Sequence, residues 1–227
     1  MERKKFLQKG LTALGVAFVA PLANGCSKGD SISSEDGTGN CATTPTETEG
    51  PYPTKSPSSL VQSDIRGDRT GVTLTVKITV NNKNSNCAAL PNAIVDIWHC
   101  DALGAYSEYS SGYTASHWLR GRQTTDANGL VTFTSIFPGW YPGRAPHIHV
   151  HIFNASGTSL LITQIAFPTD ICNAVYTTAS PYSGHGTQDT QNSTDGIFRD
   201  SLTSELATVT GSVSAGYTLT HVITVNG

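Results

Sequence analysis

Val72-Thr73-Leu74-Thr75-Val76-Lys77-Ile78-Thr79-Val80 alternates without a break, its five apolar residues falling on one face and Thr or Lys on the other. Successive side chains of a strand point to opposite sides, so the pattern describes a β-strand with one face on a core and one turned outward. The polar cluster Asn81 to Asn86 ends it as a turn. Further strand segments are Ala93 to His99, Leu130 to Ser135, His147 to Phe153, Leu160 to Phe167 and Tyr217 to Val225. Turn signals such as Asp126-Ala127-Asn128-Gly129 and Asn154-Ala155-Ser156-Gly157 separate them. Asp200 to Thr208 is the one short helix expected, and no internal repeat is present. Short punctuated strands with little helix predict an all-β fold, a two-sheet antiparallel β-sandwich. The segments 101–123 and 170–195 read as long loops without regular structure, the places where such a fold carries function.

The chain has 227 residues, enough for one domain with a real core plus appendages. Its 14 Lys and Arg against 17 Asp and Glu leave no basic stripe of the kind that binds nucleic acid. Residues 1–25 read as an export signal: Arg3-Lys4-Lys5 is a basic start, and Leu11 to Leu22 is an apolar run too short to span a bilayer. Leu22-Ala23-Asn24-Gly25-Cys26 resembles a bacterial lipoprotein cleavage box, which makes Cys26 the expected lipid anchor at the cell envelope. Arg3-Lys4-x-Phe6-Leu7 resembles a twin-arginine signal with one arginine replaced by lysine. Residues 26–45, rich in Ser, Gly, Asp and Thr, read as a flexible tether, and 46–227 as the folded domain. Setting Cys26 aside leaves Cys41, Cys87, Cys100 and Cys172, for which two disulfides are expected in an oxidising compartment, with all three connectivities open.

The run Pro138-Gly139-Trp140-Tyr141-Pro142-Gly143-Arg144-Ala145-Pro146-His147-Ile148-His149 carries the chemistry. On a strand, His147 and His149 project to one side roughly 6–7 Å apart along the backbone, close enough to converge on one ion. His151 continues the alternation, either as a third ligand or as part of a polar face. Tyr141 sits in a Pro/Gly-rich turn able to bring a phenol to the same ion. Upstream, Val95 to Tyr106 is a strand running into a Gly-containing turn that ends on a tyrosine.

Trp98 followed eight residues on by Tyr106, the Pro-Gly-x-Tyr of Pro138 to Tyr141, Arg144 three residues before His147-x-His149, and Thr48-Glu49-Gly50-Pro51-Tyr52 stand in one order along the chain. Together they resemble the intradiol ring-cleavage dioxygenases, and most of all the short exported members of that family. The resemblance runs from Thr46 to about Phe167. It implies Tyr106, Tyr141, His147 and His149 as ligands of a non-haem Fe(III), with Arg144 beside them. Hard phenolate oxygens suit a trivalent ion, which depresses a tyrosine's pKa far below its ordinary value. The implied reaction takes a catechol-type aromatic and O2. The catechol displaces Tyr141 and passes its protons to it and to hydroxide, and Arg144 offsets anionic character on the ring. The ring then opens between the two hydroxyl-bearing carbons to a muconate-type diacid.

Tyr52 and Trp140 are candidate walls for the aromatic substrate. Gln164, expected to face inward on an apolar strand, is either a partner that orients Arg144 at the substrate or a satisfied core amide. His151 and His99 are assigned structural roles, with Tyr109 and Tyr113 as competitors for the role of Tyr106. Only Pro142 and Gly143 separate Tyr141 from Arg144, fewer residues than in longer family members, which predicts a more open rim. No counterpart to the helical N-terminal dimerisation domain of the cytosolic enzymes is expected. Two other readings compete: an exported β-sandwich binding module, and a Zn or Cu enzyme using the His147, His149 and His151 face.

Overall fold

The structure is a computed structural model and describes residues 41–227. The export signal, Cys26 and most of the expected tether lie outside the described residues. Among the described residues nine strands and two α-helices follow in order: β1 (Thr73–Asn82), β2 (Ala88–Ala89), β3 (Ile94–Trp98), β4 (Arg120–Thr124), β5 (Leu130–Ile136), β6 (His147–Phe153), β7 (Ser159–Ala166), α1 (Thr169–Thr178), α2 (Leu202–Glu205), β8 (Thr208–Ser212) and β9 (Gly216–Val225). Two sheets form. In one, β1 pairs with β5 and β2 along one edge and with β9 along the other, and β8 closes the far side. The second sheet runs β4-β3-β6-β7.

The alternation of β1 does what it predicts, since Leu74, Val76, Ile78 and Val80 are fully buried. They meet Val95, Ile97, Ile148, Val150, Ile152, Leu161 and Ile165 of the second sheet in one core. One pairing departs from the antiparallel expectation: β1 and β9 run parallel, from Leu74 beside Tyr217 to Asn82 beside Val225. β9 arrives after the chain has crossed through α1, α2 and β8, and such a crossover, unlike a hairpin, permits parallel pairing.

The structure corrects several expectations. β4 occupies the end of the supposed 101–123 loop, where Arg120, Gly121 and Arg122 show no apolar alternation because their neighbours, not their own pattern, hold them in the ladder. α1 lies in the supposed 170–195 loop and is longer than α2. Its Thr-rich, β-branched sequence has weak helix propensity, yet Cys172, Val175 and Tyr176 fall at helical spacing and all three are buried. β2 and β8 are strands the sequence did not suggest.

The fold begins before Thr46. Cys41 is cross-linked to Cys87, the Thr44 N–H donates to the Thr224 carbonyl at 3.0 Å, and the Thr224 N–H donates to Thr44 Oγ1 at 2.9 Å. Residues 41–45 are therefore structure, not tether. That bridge is one disulfide where two were expected. Cys100 and Cys172 are buried free thiols, Cys100 beside Trp98 and Tyr106 and Cys172 in the main core, so they belong to different packing clusters. Burial pushes both thiols far above their ordinary pKa.

From Thr44 the chain crosses the outer side of the second sheet as a strap. The Glu47 N–H donates to the Ile162 carbonyl at 2.8 Å. Farther on, the Gln62 N–H donates to the Arg122 carbonyl and the Arg122 N–H to the Leu60 carbonyl. A sheet face that would otherwise meet water is thus roofed by irregular chain.

Candidate metal centre

β6 reads His-Ile-His-Val-His-Ile-Phe, and its period of two sends Ile148, Val150 and Ile152 into the core and the histidines to the opposite face, under the strap. His147 and His149 are nonetheless buried. His147 Nδ1 lies 2.6 Å from the Ala145 carbonyl oxygen, which can only accept, so the proton sits on Nδ1 and the lone pair is on Nε2. That Nε2 is 3.1 Å from His149 Nε2 and 3.3 Å from the Tyr141 hydroxyl. The His149 ring lies parallel to Trp98, 5.0 Å away across the β3–β6 pairing. Gly50 of the strap presses on it: a Cβ there would stand 2.9 Å from His149 Cε1, and its φ of 69° already favours glycine.

Tyr106 joins this group from the loop after β3. Asp101 folds that loop by accepting the Leu103 and Ala105 N–H groups on Oδ1. The Tyr106 ring is then buried 5.8 Å from Tyr141 and 6.4 Å from His149, and its hydroxyl has no hydrogen-bond partner. His149 Nδ1 is also without one.

These four side chains fit a metal ion. A buried unpaired hydroxyl is costly and asks for a partner. Two Nε2 atoms 3.1 Å apart match two metal–nitrogen bonds of about 2.1 Å at nearly a right angle. Burial, reinforced by Arg144 and neighbouring histidines, holds His147 down to about 3 and His149 well below its ordinary value, so both are the neutral imidazoles that ligate. Burial pushes Tyr106 well above the ordinary phenol value, and raises Tyr141 against the pull of Arg144. Only a nearby cation reverses that preference. Two oxygens and two nitrogens without sulfur suit a hard ion such as Fe(III). Among the described residues no group of three or more His, Cys, Asp and Glu is placed to hold a metal, so any site here depends on the tyrosines.

His151 stands apart from the four. Its Nε2 bonds Ser159 Oγ at 2.8 Å, its Nδ1 faces Glu49 at 3.4 Å, and its ring stacks on Phe153. His99 bridges Cys100 O and Ser135 Oγ inside the sandwich.

Tyr141-Pro142-Gly143-Arg144 is a turn closed by the Arg144 N–H donating to the Tyr141 carbonyl, with proline second and a glycine at φ 84° third. It aims a phenol and a guanidinium from its two ends. Arg144 Nε donates to Asp195 Oδ2 at 2.9 Å, and Nη2 donates to Gln164 Oε1 at 2.7 Å. Gln164 is thus bonded to Arg144. It faces outward beside His149 in the β6–β7 register, and its Nε2 donates to the Thr48 carbonyl. Asp195 also accepts the Ala145 and Ile197 N–H groups. Its burial opposes ionisation, but these donors prevail and hold the carboxyl below its usual range.

Tyr52 comes to the cluster, 4.6 Å from Tyr106 and 6.3 Å from Tyr141 between ring centres. Trp140 turns elsewhere: its Nε1 donates to Gly186 O and its ring packs on His185. Tyr109 packs on Tyr52 and donates to Pro53 O, and Tyr113 packs on Trp118, so neither competes with Tyr106. Asp195 and the buried Arg120 escaped the sequence reading. Asp195 sits in a Ser/Thr/Asp-rich stretch with no local signal, whereas Arg120 stands opposite Trp98, visible only once the β3–β4 register is known.

Comparison with known proteins shows the family to which the chain belongs. Residues 48–181 match the protein family described as Dioxygenase. A solved intradiol ring-cleavage dioxygenase from Tetranychus urticae is 31% identical, with a TM-score of 0.74, over 82% of this chain and 95% of that one. The dioxygenase domain of a dioxygenase carbohydrate-binding protein fusion from Streptomyces sp. SirexAA-E is 29% identical over 81% and 97%, with a TM-score of 0.59. Among curated proteins, a chlorocatechol 1,2-dioxygenase from Rhodococcus opacus is 29% identical over 151 residues, 55% of this chain and 56% of that protein. The chain thus spans about half the length of this curated relative.

Proposed function

We propose, from the premise that this chain belongs to the intradiol ring-cleavage dioxygenase family, that it is a non-haem Fe(III) enzyme opening catechol-type rings with O2 between the two hydroxyl-bearing carbons. The observation that carries the reading is that His149 Nε2 at 3.1 Å and the Tyr141 hydroxyl at 3.3 Å both converge on His147 Nε2, beside the unpartnered hydroxyl of Tyr106.

Tyr106, Tyr141, His147 and His149 would hold the ion. Bound Fe(III) would supply the Lewis acidity that makes the ring carbons of a catechol reactive toward O2. Both atoms of O2 enter the muconate-type product, so no external reductant is needed. Tyr141 stands at a turn near the surface, and burial raises its phenol above the ordinary value, so its phenolate would be a stronger base than that of free tyrosine. It can then take a catechol proton. Arg144, pinned through Nε and Nη2, supplies a fixed positive charge for anionic character on the ring. Tyr52 offers an aromatic wall, and the strap at Gly50 keeps water from His149.

The enzyme acts outside the cytoplasm, held by lipid on Cys26. The first 26 residues and the Cys41–Cys87 cross-link support this placement. Mass spectrometry of the mature N-terminus tests it, and an unlipidated start elsewhere than Cys26 removes the anchor.

Purified protein loaded with iron is expected to be red-brown from tyrosinate-to-iron charge transfer and to consume O2 with catechols. Tyr106→Phe loses both. A colourless protein that takes up no iron after reconstitution ends the proposal.

A further inference from the structure

Arg120 is wholly buried on β4, opposite Trp98 of β3. The period of the strand places it on the face that carries His149, while a Cβ on neighbouring Gly121 would meet Ile65 and Phe133 on the core side. Burying a guanidinium is costly unless its nitrogens are filled. All three are. Nε donates to Ser107 Oγ at 2.9 Å, Nη2 to Ser107 O at 2.7 Å, and Nη1 to Tyr52 O at 2.9 Å and Thr54 Oγ1 at 3.2 Å. The partners come from two segments: Tyr52 and Thr54 from the strap, and Ser107 from the residue after Tyr106.

A second cluster repeats the connection. Glu108 is buried at φ 67°, a strained conformation for a side chain with a Cβ, kept only where surroundings enforce it. Its carboxylate accepts the Lys55 N–H at 2.9 Å, lies 2.7 Å from His117 Nδ1 and stands 3.6 Å from Arg120 Nε. Lys55 Nζ in turn donates to Glu108 O at 2.8 Å. Strap and loop thus exchange bonds on both sides of the guanidinium.

We propose that Arg120 is a positioning residue of the iron site, a clamp that sets the substrate wall at Tyr52 against the ligand loop of Tyr106. The inference rests on the iron reading above and assigns Arg120 a task distinct from that of Arg144. Arg144 lies beside the candidate ligands, held by Asp195 and Gln164, whereas every nitrogen of Arg120 is bonded to the strap or the Tyr106 loop. Arg120 acts through the 4.6 Å packing of the Tyr52 and Tyr106 rings. The requirement is for the planar fork and not for charge alone, because a lysine ammonium cannot reach two segments with the same geometry.

Arg120→Lys tests this in the full chain. In iron-loaded protein the tyrosinate charge-transfer band is expected to shift, and KM for catechol to rise about 10-fold with a smaller change in kcat. In metal-free protein, hydrogen exchange at the Lys55 and Ser110 amides should quicken together, since these donate to Glu108 and to the Tyr106 carbonyl. Ser107→Ala, which removes one acceptor without burying a new charge, should move all three readouts the same way by less. An Arg120→Lys protein that folds with band, KM and exchange equal to the parent overturns the clamp, as does exchange that quickens in one segment only. If Arg120→Lys does not fold, an unchanged Ser107→Ala protein overturns it. A parent that binds no iron defeats the iron reading, and the exchange measurement then still decides the clamp.

Discussion

The two faces of the second sheet are built from the same strands and carry opposite chemistry. Inward, Val95, Ile97, Ile148, Val150, Ile152 and Ile165 join the sandwich core. Outward, one residue along in each case, stand Asp96, Trp98, His147, His149 and Gln164, all of them buried as well. Burial therefore does not distinguish core from site. The inner face is covered by another sheet whose side chains are apolar, and the outer face by a strap and loops that bring backbone carbonyls, an arginine and tyrosines. A sheet face roofed by irregular chain can keep polar groups dry and still partnered, which is what a metal site requires.

Adjacent residues of β6 break this comparison most sharply. His147→Ala should lose more than about 100-fold in oxygen uptake, beyond the 10–100-fold typical of residues that only orient ligands. Its melting temperature should change little. Ile148→Ala should do the reverse, costing about 2–5 kcal/mol of stability and lowering Tm by about 2–4 °C per kcal/mol, with colour retained in the folded fraction. Oxygen-electrode rates and thermal melts on both proteins check the pair, and equal loss of activity in the two would dissolve the distinction between the faces.

Asp195→Asn sharpens it at intermediate size. The amide still fills the space but no longer neutralises Arg144, so turnover should fall about 10–100-fold with iron still bound. Because the native carboxyl is held below its ordinary pKa, its stabilisation is present above the unfolded value and lost as pH falls through the folded one. Asp195→Asn should flatten that acid limb of the melting curve, and an unaltered limb would assign the acid sensitivity elsewhere.

Glu205 gives the smallest and opposite effect. Burial, only partly offset by Ser201 and joined by repulsion from Glu47 and Asp200, raises its carboxyl to about 7. A raised carboxyl stabilises most below its unfolded pKa and ceases to do so as pH climbs through the folded value. The parent should therefore lose stability as pH rises from the ordinary carboxylate range to about 7. Glu205→Gln should lessen that slope, measured as melting temperature against pH, with Glu47, whose carboxyl burial also raises, supplying the remainder. A slope undiminished in the variant would exonerate this residue.

The inner face was legible in the sequence because apolar alternation in β1, β5, β6 and β7 is a local signal. The histidine pair was legible because a strand's period of two encodes its geometry, whereas Tyr106 and the complete candidate ligand set rested on the resemblance of four ordered motifs to the dioxygenase family. What stayed hidden depends on distant chain. Asp195 reaches Arg144 across 51 residues, and Arg120 reaches Tyr52 across 68. β4 shows no pattern because one of its faces is a buried arginine and the other a glycine. Gln164 was noticed but assigned to the wrong side, since a strand covered on both faces looks apolar throughout.

The Cys41–Cys87 cross-link also bears on the unfolded chain. It closes a loop with a sequence separation of 46, which in the chain-entropy picture is worth about 4 kcal/mol at room temperature. That loop contains Gly50, Tyr52 and Thr54, the strap's share of the roof over the outer face. The least regular part of the domain is thus kept near its destination before any hydrogen bond forms, and its search for the sheet is short from the outset.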